Sequence, residues 1–302
     1  MRSLRLLILP SLLGLWLSGQ AGAQSATETG APGEVRFTSA PVPPTELQVR
    51  LARERGRPPP AAQPDIELTG RLSRPQGPGP FPAVVLLHGC AGRTPAQDAW
   101  AAGLAAWGYA ALQVDSHGAR GLTETCTTTA GPNVGPLVPD AFGALAWLRG
   151  QPLVDPGRVA VMGWGHGATA ALDSVLATGV ASLFGEGFAA AVALYPYCPG
   201  NIPRRYLAPI LVLAGAEDDL MPAARCRRIA AKAETGGGMI TLRVYKGAYY
   251  GFDDPDHGAP HLEPEVLNIE RSPPRGATLG YDAAAHADAR RRVRAFLGRL
   301  LD

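Results

Sequence analysis

Short runs of consecutive apolar residues recur along the chain, separated by segments with helical periodicity. Six of these runs span residues 83–87, 110–114, 159–162, 189–194, 210–213 and 240–245. An unalternating apolar run of this length is typical of a strand that is buried on both faces of a parallel sheet. Residues 66–72 alternate between apolar and polar side chains, which predicts one further strand.

Between the predicted strands, apolar residues recur at the spacing of one buried helix face. The predicted helices span residues 95–107, 140–149, 166–177, 223–235 and 283–301. Strands that alternate with helices predict an α/β fold, a mostly parallel sheet with helices on both faces. In such folds ligands bind at the carboxyl ends of the strands, so candidate chemistry is sought there.

Residues 1–23 have the pattern of a secretory signal peptide. Arg2 and Arg5 supply positive charge, residues 6–17 form a short apolar core, and Ala21-Gly22-Ala23 matches an A-x-A cleavage site. The core is interrupted by a proline and a glycine, and it is shorter than the ~20 residues of a membrane-spanning helix. We expect an exported protein, periplasmic or secreted, with no membrane span after cleavage. A retained N-terminal anchor is the alternative.

The composition changes after the signal segment and again near residue 65. Residues 24–64 are rich in proline, alanine and arginine, which predicts an irregular arm with one strand at 34–38 that is dispensable for the core. Residues 65–302 are expected to form one α/β domain. With 46% hydrophobic residues in a chain of 302, there is ample material for a buried core.

Charge gives no sign of a nucleic-acid partner. The chain has 28 basic and 26 acidic residues, and loss of the two signal-segment arginines brings the formal net charge from +2 to 0. Only Lys232 and Lys246 are lysines, so the many arginines reflect composition bias and not a basic binding patch. We therefore expect no nucleic-acid partner.

The four cysteines, Cys90, Cys126, Cys198 and Cys226, fit an oxidising compartment. They are even in number and show no C-x-x-C spacing, so three disulfide pairings are possible. In the predicted topology Cys90 follows one strand and Cys126 lies in the loop after its neighbour, while Cys198 and Cys226 flank two adjacent later strands. This favours Cys90–Cys126 and Cys198–Cys226, with free buried thiols as the alternative.

The most informative motif is Gly163-Trp164-Gly165-His166-Gly167, at the end of a predicted buried strand. A strand that runs through small residues into a helix is the pattern of a nucleophile elbow, G-x-[nucleophile]-x-G. Here the central residue is Gly165, which has no nucleophile to present. The glycine spacing does not fit the dinucleotide motif G-x-G-x-x-G.

Two further strand ends carry candidate site residues. His88-Gly89-Cys90-Ala91-Gly92 follows a strand, and its turn predicts an oxyanion hole made by the main-chain N–H of Cys90 and that of His166. Another strand is followed by Asp218, the candidate acid, with Asp219 beside it. An aspartate that only caps the next helix is the alternative interpretation of Asp218.

Together these motifs resemble the dienelactone hydrolase family of the α/β-hydrolase superfamily, and in particular its exported, cysteine-containing branch. The resemblance runs from about residue 65 to the end, and it includes residues 114–116, Arg120-Gly121 and residues 245–253 besides the three strand ends. It implies the α/β-hydrolase fold. It also implies hydrolysis of an ester or lactone by a nucleophile, an acid and a histidine in that chain order.

Position by position, the family's nucleophile falls on Gly165, its acid on Asp218 and its base on Tyr250. Members usually read G-A-Y-H-x-F-D where this chain has Tyr250 at the histidine position. Glycine cannot form an acyl intermediate, and a phenol with an ordinary pKa of about 10 is a poor base at neutral pH. The sequence thus predicts a catalytically impaired homologue that keeps a cleft for a small ester- or lactone-like ligand.

An active hydrolase with a rearranged or metal-assisted site is the alternative. Five histidines follow predicted strands or lie in a later loop: His88, His117, His166, His257 and His261. Family histidines such as His88 usually have a structural role, so we expect no metal and no cofactor. Cys90 and Ser116 are disfavoured as relocated nucleophiles because neither lies on the elbow.

Overall fold

The computed structural model describes residues 30–128, 135–185, 187–199, 205–234 and 239–302. The predicted signal peptide lies outside these residues. No helix among them is long and apolar enough to cross a membrane.

Eight strands form the central sheet in the order β1-β2-β4-β3-β5-β6-β7-β8. The strand β2 is antiparallel to β1 and β4, and every other pair is parallel. The bounds are β1 Gly30–Thr38, β2 Glu67–Arg74, β3 Phe81–Leu87, β4 Ala110–Asp115, β5 Val154–Trp164, β6 Ala190–Leu194, β7 Ile210–Gly215 and β8 Ile240–Tyr245. A separate antiparallel pair consists of β9 His261–Leu267 and β10 Arg275–Leu279.

Helices cover both faces of the sheet, as the apolar pattern predicts. They are α1 Glu46–Glu54, α2 Pro95–Ala106, α3 Leu137–Arg149, α4 His166–Asp173, α5 Ala223–Glu234 and α6 Ala283–Leu301. Successive residues of β3 alternate between the two cores, with Val84 and Leu86 packed on the α2 and α6 side. Val85 and Leu87 pack on the α3 and α4 side. This two-sided burial explains why the strand is apolar throughout.

The segment 30–40 is part of the sheet and its core. The predicted strand at 34–38 extends over Gly30–Thr38 and pairs antiparallel with β2. Phe37 is 6% exposed, and the Ala40 N–H donates to the carbonyl of Pro139 on α3. The expectation that residues 24–64 are dispensable for the core does not hold for this strand. The domain boundary at residue 65 remains a prediction.

Candidate active site

The elbow predicted at Gly165 is a tight turn between β5 and α4. Gly165 has φ 51° and ψ −112°, a strained conformation for any residue with a side chain. A Cβ atom on Gly163 would lie 2.2 Å from the Gly167 carbonyl oxygen, and one on Gly167 would lie 2.1 Å from that of Leu87. The flanking positions therefore admit only glycine, which is the reason that the motif is glycine-rich.

Tyr250 fills the space beside the elbow in which a nucleophile would stand. A Cβ atom built on Gly165 would lie 2.1 Å from the Tyr250 hydroxyl oxygen and 3.1 Å from its Cζ. Tyr250 is buried, and its ring packs 4.6 Å from that of Tyr195. Burial, with the nearby charges of Asp218 and Asp253, raises the pKa of Tyr250 above its ordinary value of 10. The phenol stays protonated at neutral pH and is no general base.

Asp218 follows β7 and is 4% exposed. Its Oδ1 accepts hydrogen bonds from the N–H groups of Leu220, at 3.0 Å, and Met221, at 2.7 Å. Its Oδ2 is buried and finds no hydrogen-bond partner within the described residues. Burial raises the pKa of Asp218 to about 7, against the opposing effect of the two N–H donors. The Oδ2 atom of Asp218, which would orient a histidine base, therefore makes no hydrogen bond within the described residues.

The two residues whose main-chain N–H groups are the candidate oxyanion donors line a cavity together with Tyr250. His166 is the first residue of α4, so its main-chain N–H has no acceptor within the helix. Cys90 lies in the turn after β3, and it lines one small cavity together with His166 and Tyr250. Burial, and to a lesser degree the charge of His117, lowers the pKa of the His166 imidazole to about 4. His166 is therefore neutral at physiological pH.

His88 ties the end of β3 to the end of β4. Its Nδ1 lies 2.8 Å from the Gly89 carbonyl oxygen, and its Nε2 accepts from the Ser116 N–H at 3.2 Å. This pattern assigns a neutral ring with the proton on Nδ1. Burial accordingly lowers the pKa of His88 to about 4. The His117 ring packs 4.3 Å from it, edge to face.

Three further candidates for rearranged chemistry are His257, His261 and Ser116. His257 and His261 lie in and after the loop that follows Tyr250, with ring centroids 6.5 Å apart. Within the described ranges, no group of three or more histidine, cysteine or acidic side chains is placed to hold a metal ion. Ser116 is 2% exposed, at the end of β4.

Both expected disulfides, Cys90–Cys126 and Cys198–Cys226, are present. No cysteine is free. Because the Cys90 sulfur is in a disulfide, this residue cannot serve as a relocated nucleophile. Instead, the Cys90–Cys126 bond ties the turn after β3 to the loop after β4.

A cleft of two adjoining cavities, of about 10 and 90 Å³, opens beside these residues. Both are lined by Cys90, Cys126, Leu220, Tyr250 and Val266. The larger one extends to Trp164, Tyr195, Asp253, Asp254, His257 and Leu279, among others. Its walls are mainly apolar, as is usual for a small-molecule site.

Asp253 lies beside this cleft and accepts three hydrogen bonds from buried side chains. It belongs to the motif at residues 245–253, which predicts no role for it. Its Oδ2 accepts from the indole N–H groups of Trp100, at 2.7 Å, and Trp164, at 2.9 Å. Its Oδ1 accepts from the Tyr195 hydroxyl at 2.8 Å. Burial raises the pKa of Asp253, and these three donors oppose the rise. The network holds the loop of Tyr250 against the ends of β5 and β6.

The hairpin formed by β9 and β10 roofs the cleft and is the main site feature that the sequence analysis missed. Val266 and Leu279 from this hairpin line the larger cavity. Asp219 anchors it by accepting from the Thr278 N–H at 2.8 Å and the Thr278 hydroxyl at 2.9 Å, and by pairing with Arg271. The Leu267 N–H donates to the Cys126 carbonyl. The two consecutive acids therefore have different roles. Asp218 is the candidate acid of the site, and Asp219 anchors the hairpin that covers the cleft.

A mostly parallel sheet, an elbow after β5, an acid after β7 and the Tyr250 loop after β8 define the α/β-hydrolase fold. The chain belongs to the dienelactone hydrolase family, whose model matches residues 68–301. This finding confirms the resemblance that the strand-end motifs carry.

The chain is also similar to individual proteins. An uncharacterized protein of Mycobacterium tuberculosis strain H37Rv is 31% identical over an alignment of 174 residues, and the match covers 51% of this chain and 59% of that protein. The match therefore spans only a little over half the length of this curated relative.

Two solved structures share the fold. A dienelactone hydrolase-like promiscuous phosphotriesterase from metagenomic libraries has a TM-score of 0.61 and 19% identity, covering 90% of this chain and 100% of that one. Thermogutta terrifontis esterase 2, phosphorylated by paraoxon, has a TM-score of 0.57 and 19% identity, covering 78% of this chain and 89% of that one. At such identities the likeness shows the fold alone.

Proposed function

We propose that this protein is a dienelactone hydrolase homologue that has lost ester and lactone hydrolysis and binds a small ester- or lactone-like ligand intact. The observation that carries this proposal is the 2.1 Å between the Tyr250 hydroxyl and the Cβ position of Gly165. A nucleophilic side chain at residue 165 would collide with Tyr250 as it is placed, so one of the two would have to shift. We therefore treat the two substitutions as one combined change of the site.

The rest of the family's machinery supports ligand binding. An elbow follows β5, Asp218 follows β7, and an apolar cleft of about 90 Å³ is lined by Cys90 and Tyr250. Loss of single triad members in hydrolases lowers the rate by roughly 10⁴–10⁶-fold, so residual turnover by this arrangement would be weak.

Export is part of the same proposal. The two disulfides fit an oxidising compartment, periplasmic or extracellular, and the arginine-flanked apolar segment at residues 1–23 fits a signal peptide. Peptide mapping of the protein recovered from the periplasm or medium should find Gln24 at the N-terminus.

Covalent labelling tests the loss of the nucleophile. One structural neighbour, Thermogutta terrifontis esterase 2, is phosphorylated by paraoxon. A fluorophosphonate likewise forms a covalent adduct only with a nucleophilic side chain. We expect no adduct on intact-mass analysis when the wild-type protein is treated with a fluorophosphonate, and one adduct at residue 165 in the Gly165→Ser/Tyr250→His variant. Stoichiometric labelling of the wild type, for example at Ser116, would instead support a hydrolase with a rearranged site.

A further inference from the structure

The Tyr250 hydroxyl stands beside both candidate oxyanion donors. Its oxygen lies 2.1 Å from the Cβ position of Gly165 and 3.6 Å from that of Gly89. These glycines immediately precede His166 and Cys90, whose main-chain N–H groups are the two donors. In an acyl-transfer site the nucleophile lies about 3 Å from the carbonyl carbon, and the oxyanion donors lie about 3 Å from the carbonyl oxygen bonded to that carbon. A phenol oxygen in the nucleophile's place is therefore near enough to this carbonyl oxygen to donate a hydrogen bond to it.

We propose that Tyr250 is a ligand-binding residue whose O–H, together with the N–H groups of Cys90 and His166, holds the carbonyl oxygen of an uncharged ester or lactone. This inference rests on the proposed function, since the ligand must remain intact. A group that replaces the base thereby becomes a third hydrogen-bond donor to the carbonyl.

The protonation state of Tyr250 suits this role. Burial and two neighbouring carboxylates raise the pKa of its phenol, so the group keeps its proton. A protonated phenol can donate to a carbonyl oxygen, which only accepts. The ring is also held in place, since it packs against Tyr195, whose hydroxyl is itself bound to Asp253.

The charges around the cleft favour an uncharged ligand over a carboxylate. Asp253 and Asp254 line the larger cavity, and Asp218 lies close enough to Tyr250 to shift its pKa. No lysine or arginine is among the described residues that line the two cavities. A carboxylate, the product of ester or lactone hydrolysis, would enter this cleft against unfavourable charge and without a cation to pair with.

The apolar walls supply the remaining contacts. Ala91, Leu220, Val266 and Leu279 line the larger cavity. They can cover the hydrocarbon part of a small ligand while its single polar group is held at the elbow. Small-molecule sites usually combine an apolar cavity with a few converging polar groups in this way.

A matched set of three small molecules tests the proposal on the full exported chain. The set is δ-valerolactone, tetrahydropyran, which has the same ring without the carbonyl, and 5-hydroxypentanoate, which is the ring-opened carboxylate. Saturation-transfer NMR titrations measure binding of each, and the same spectra report any conversion of lactone to hydroxy acid relative to a protein-free sample. We expect the lactone to bind at least about threefold more tightly than either analogue.

Tyr250→Phe keeps the ring and removes the donor, and we expect it to weaken lactone binding by roughly three- to tenfold, as for loss of one hydrogen bond. Its binding of tetrahydropyran should not change. Tyr249→Phe is the control, because it removes a neighbouring phenol hydroxyl from a half-buried residue that lines neither cavity.

The outcomes separate this inference from the proposed function. Equal lactone binding by wild type and Tyr250→Phe, equal binding of lactone and ether, or no lactone binding at all would overturn the inference. Lactone opened by the wild-type protein faster than in the blank would overturn the proposed function itself.

Discussion

The hydroxyl of Tyr250 occupies the position that a side chain on Gly165 would take, with 2.1 Å between its oxygen and the Cβ site. Gly165→Ser alone should therefore cost stability before any question of activity arises. The serine would meet the phenol and would also adopt a φ of 51°. We expect a loss of about 1–3 kcal/mol in the free energy of unfolding, measured by denaturant titration.

The companion change should relieve part of that loss. In Gly165→Ser/Tyr250→His the smaller imidazole leaves room for the serine, so the stability effects of the two substitutions should be non-additive. Additive effects, or a Gly165→Ser protein as stable as the wild type, would contradict the contact between these residues.

Asp218 should make stability depend on pH. Its pKa is raised from 3.8 to about 7 in the folded protein, so the folded state binds the proton more tightly than the unfolded chain. The stability that the folded protein gains from this protonation of Asp218 is fully present below pH 3.8, and it is lost as the pH rises to about 7. His88 and His166 act oppositely, since their lowered pKa values cost stability as pH falls from 6.5 to about 4.

Comparison of Asp218→Asn with the wild type isolates the effect of Asp218 on the pH dependence of stability, because both proteins contain His88 and His166 and the contributions of these histidines cancel. The amide oxygen can still accept from Leu220 and Met221. We expect the variant to gain stability relative to the wild type between pH 4 and 7, by up to ~4 kcal/mol. A difference that stays constant over this range would show that Asp218 has an ordinary pKa.

Phe37 should be needed for stability although it lies in the proline- and arginine-rich arm. It is 6% exposed and packs in the core beside α3. Phe37→Ala should lower the free energy of unfolding by about 3–5 kcal/mol. Leu47→Ala on α1, which buries no residue, is the control and should change it by less than about 0.5 kcal/mol.

Asp219 should hold the roof of the cleft. Asp219→Ala removes acceptors for both Thr278 donors and the partner of Arg271. We expect amide hydrogen exchange in residues 261–279 to become at least about tenfold faster, while the central sheet is unaffected. Arg275→Ala removes an exposed ion pair with Glu265 and a long hydrogen bond of 3.5 Å to the Glu265 carbonyl, and it should leave exchange nearly unchanged.

The sequence predicts the centre of the sheet well because β3 to β7 are buried along most of their length. The strands β3 to β8 appear as apolar runs, although β8 is partly exposed, and the segments that follow them carry the elbow, the acid and the first cysteine of each disulfide. The hairpin β9 and β10 was missed since its residues are largely exposed and polar, and Pro264 interrupts β9. Likewise α1 buries no residue, so no apolar stripe marks it.

The candidate site is predictable as a set of positions but not as an arrangement. The resemblance to the family places Tyr250 where the family has its base. It identifies a loss and does not show what the new side chain does. That its hydroxyl fills the place of the nucleophile depends on packing between loops 85 residues apart in the chain, those of Gly165 and Tyr250. Only the three-dimensional structure contains this relationship.

The most direct test of the account is p-nitrophenyl acetate turnover by the wild type, Gly165→Ser, Tyr250→His and the double variant, each checked for folding. We expect the wild type and both single variants to stay near the uncatalysed rate. The double variant should exceed them by at least about 10²-fold in kcat/KM, because serine, histidine and Asp218 then act as one unit. Ordinary enzyme rates in the wild type that are abolished by alanine at His166 and retained with alanine at Asp218 would contradict it.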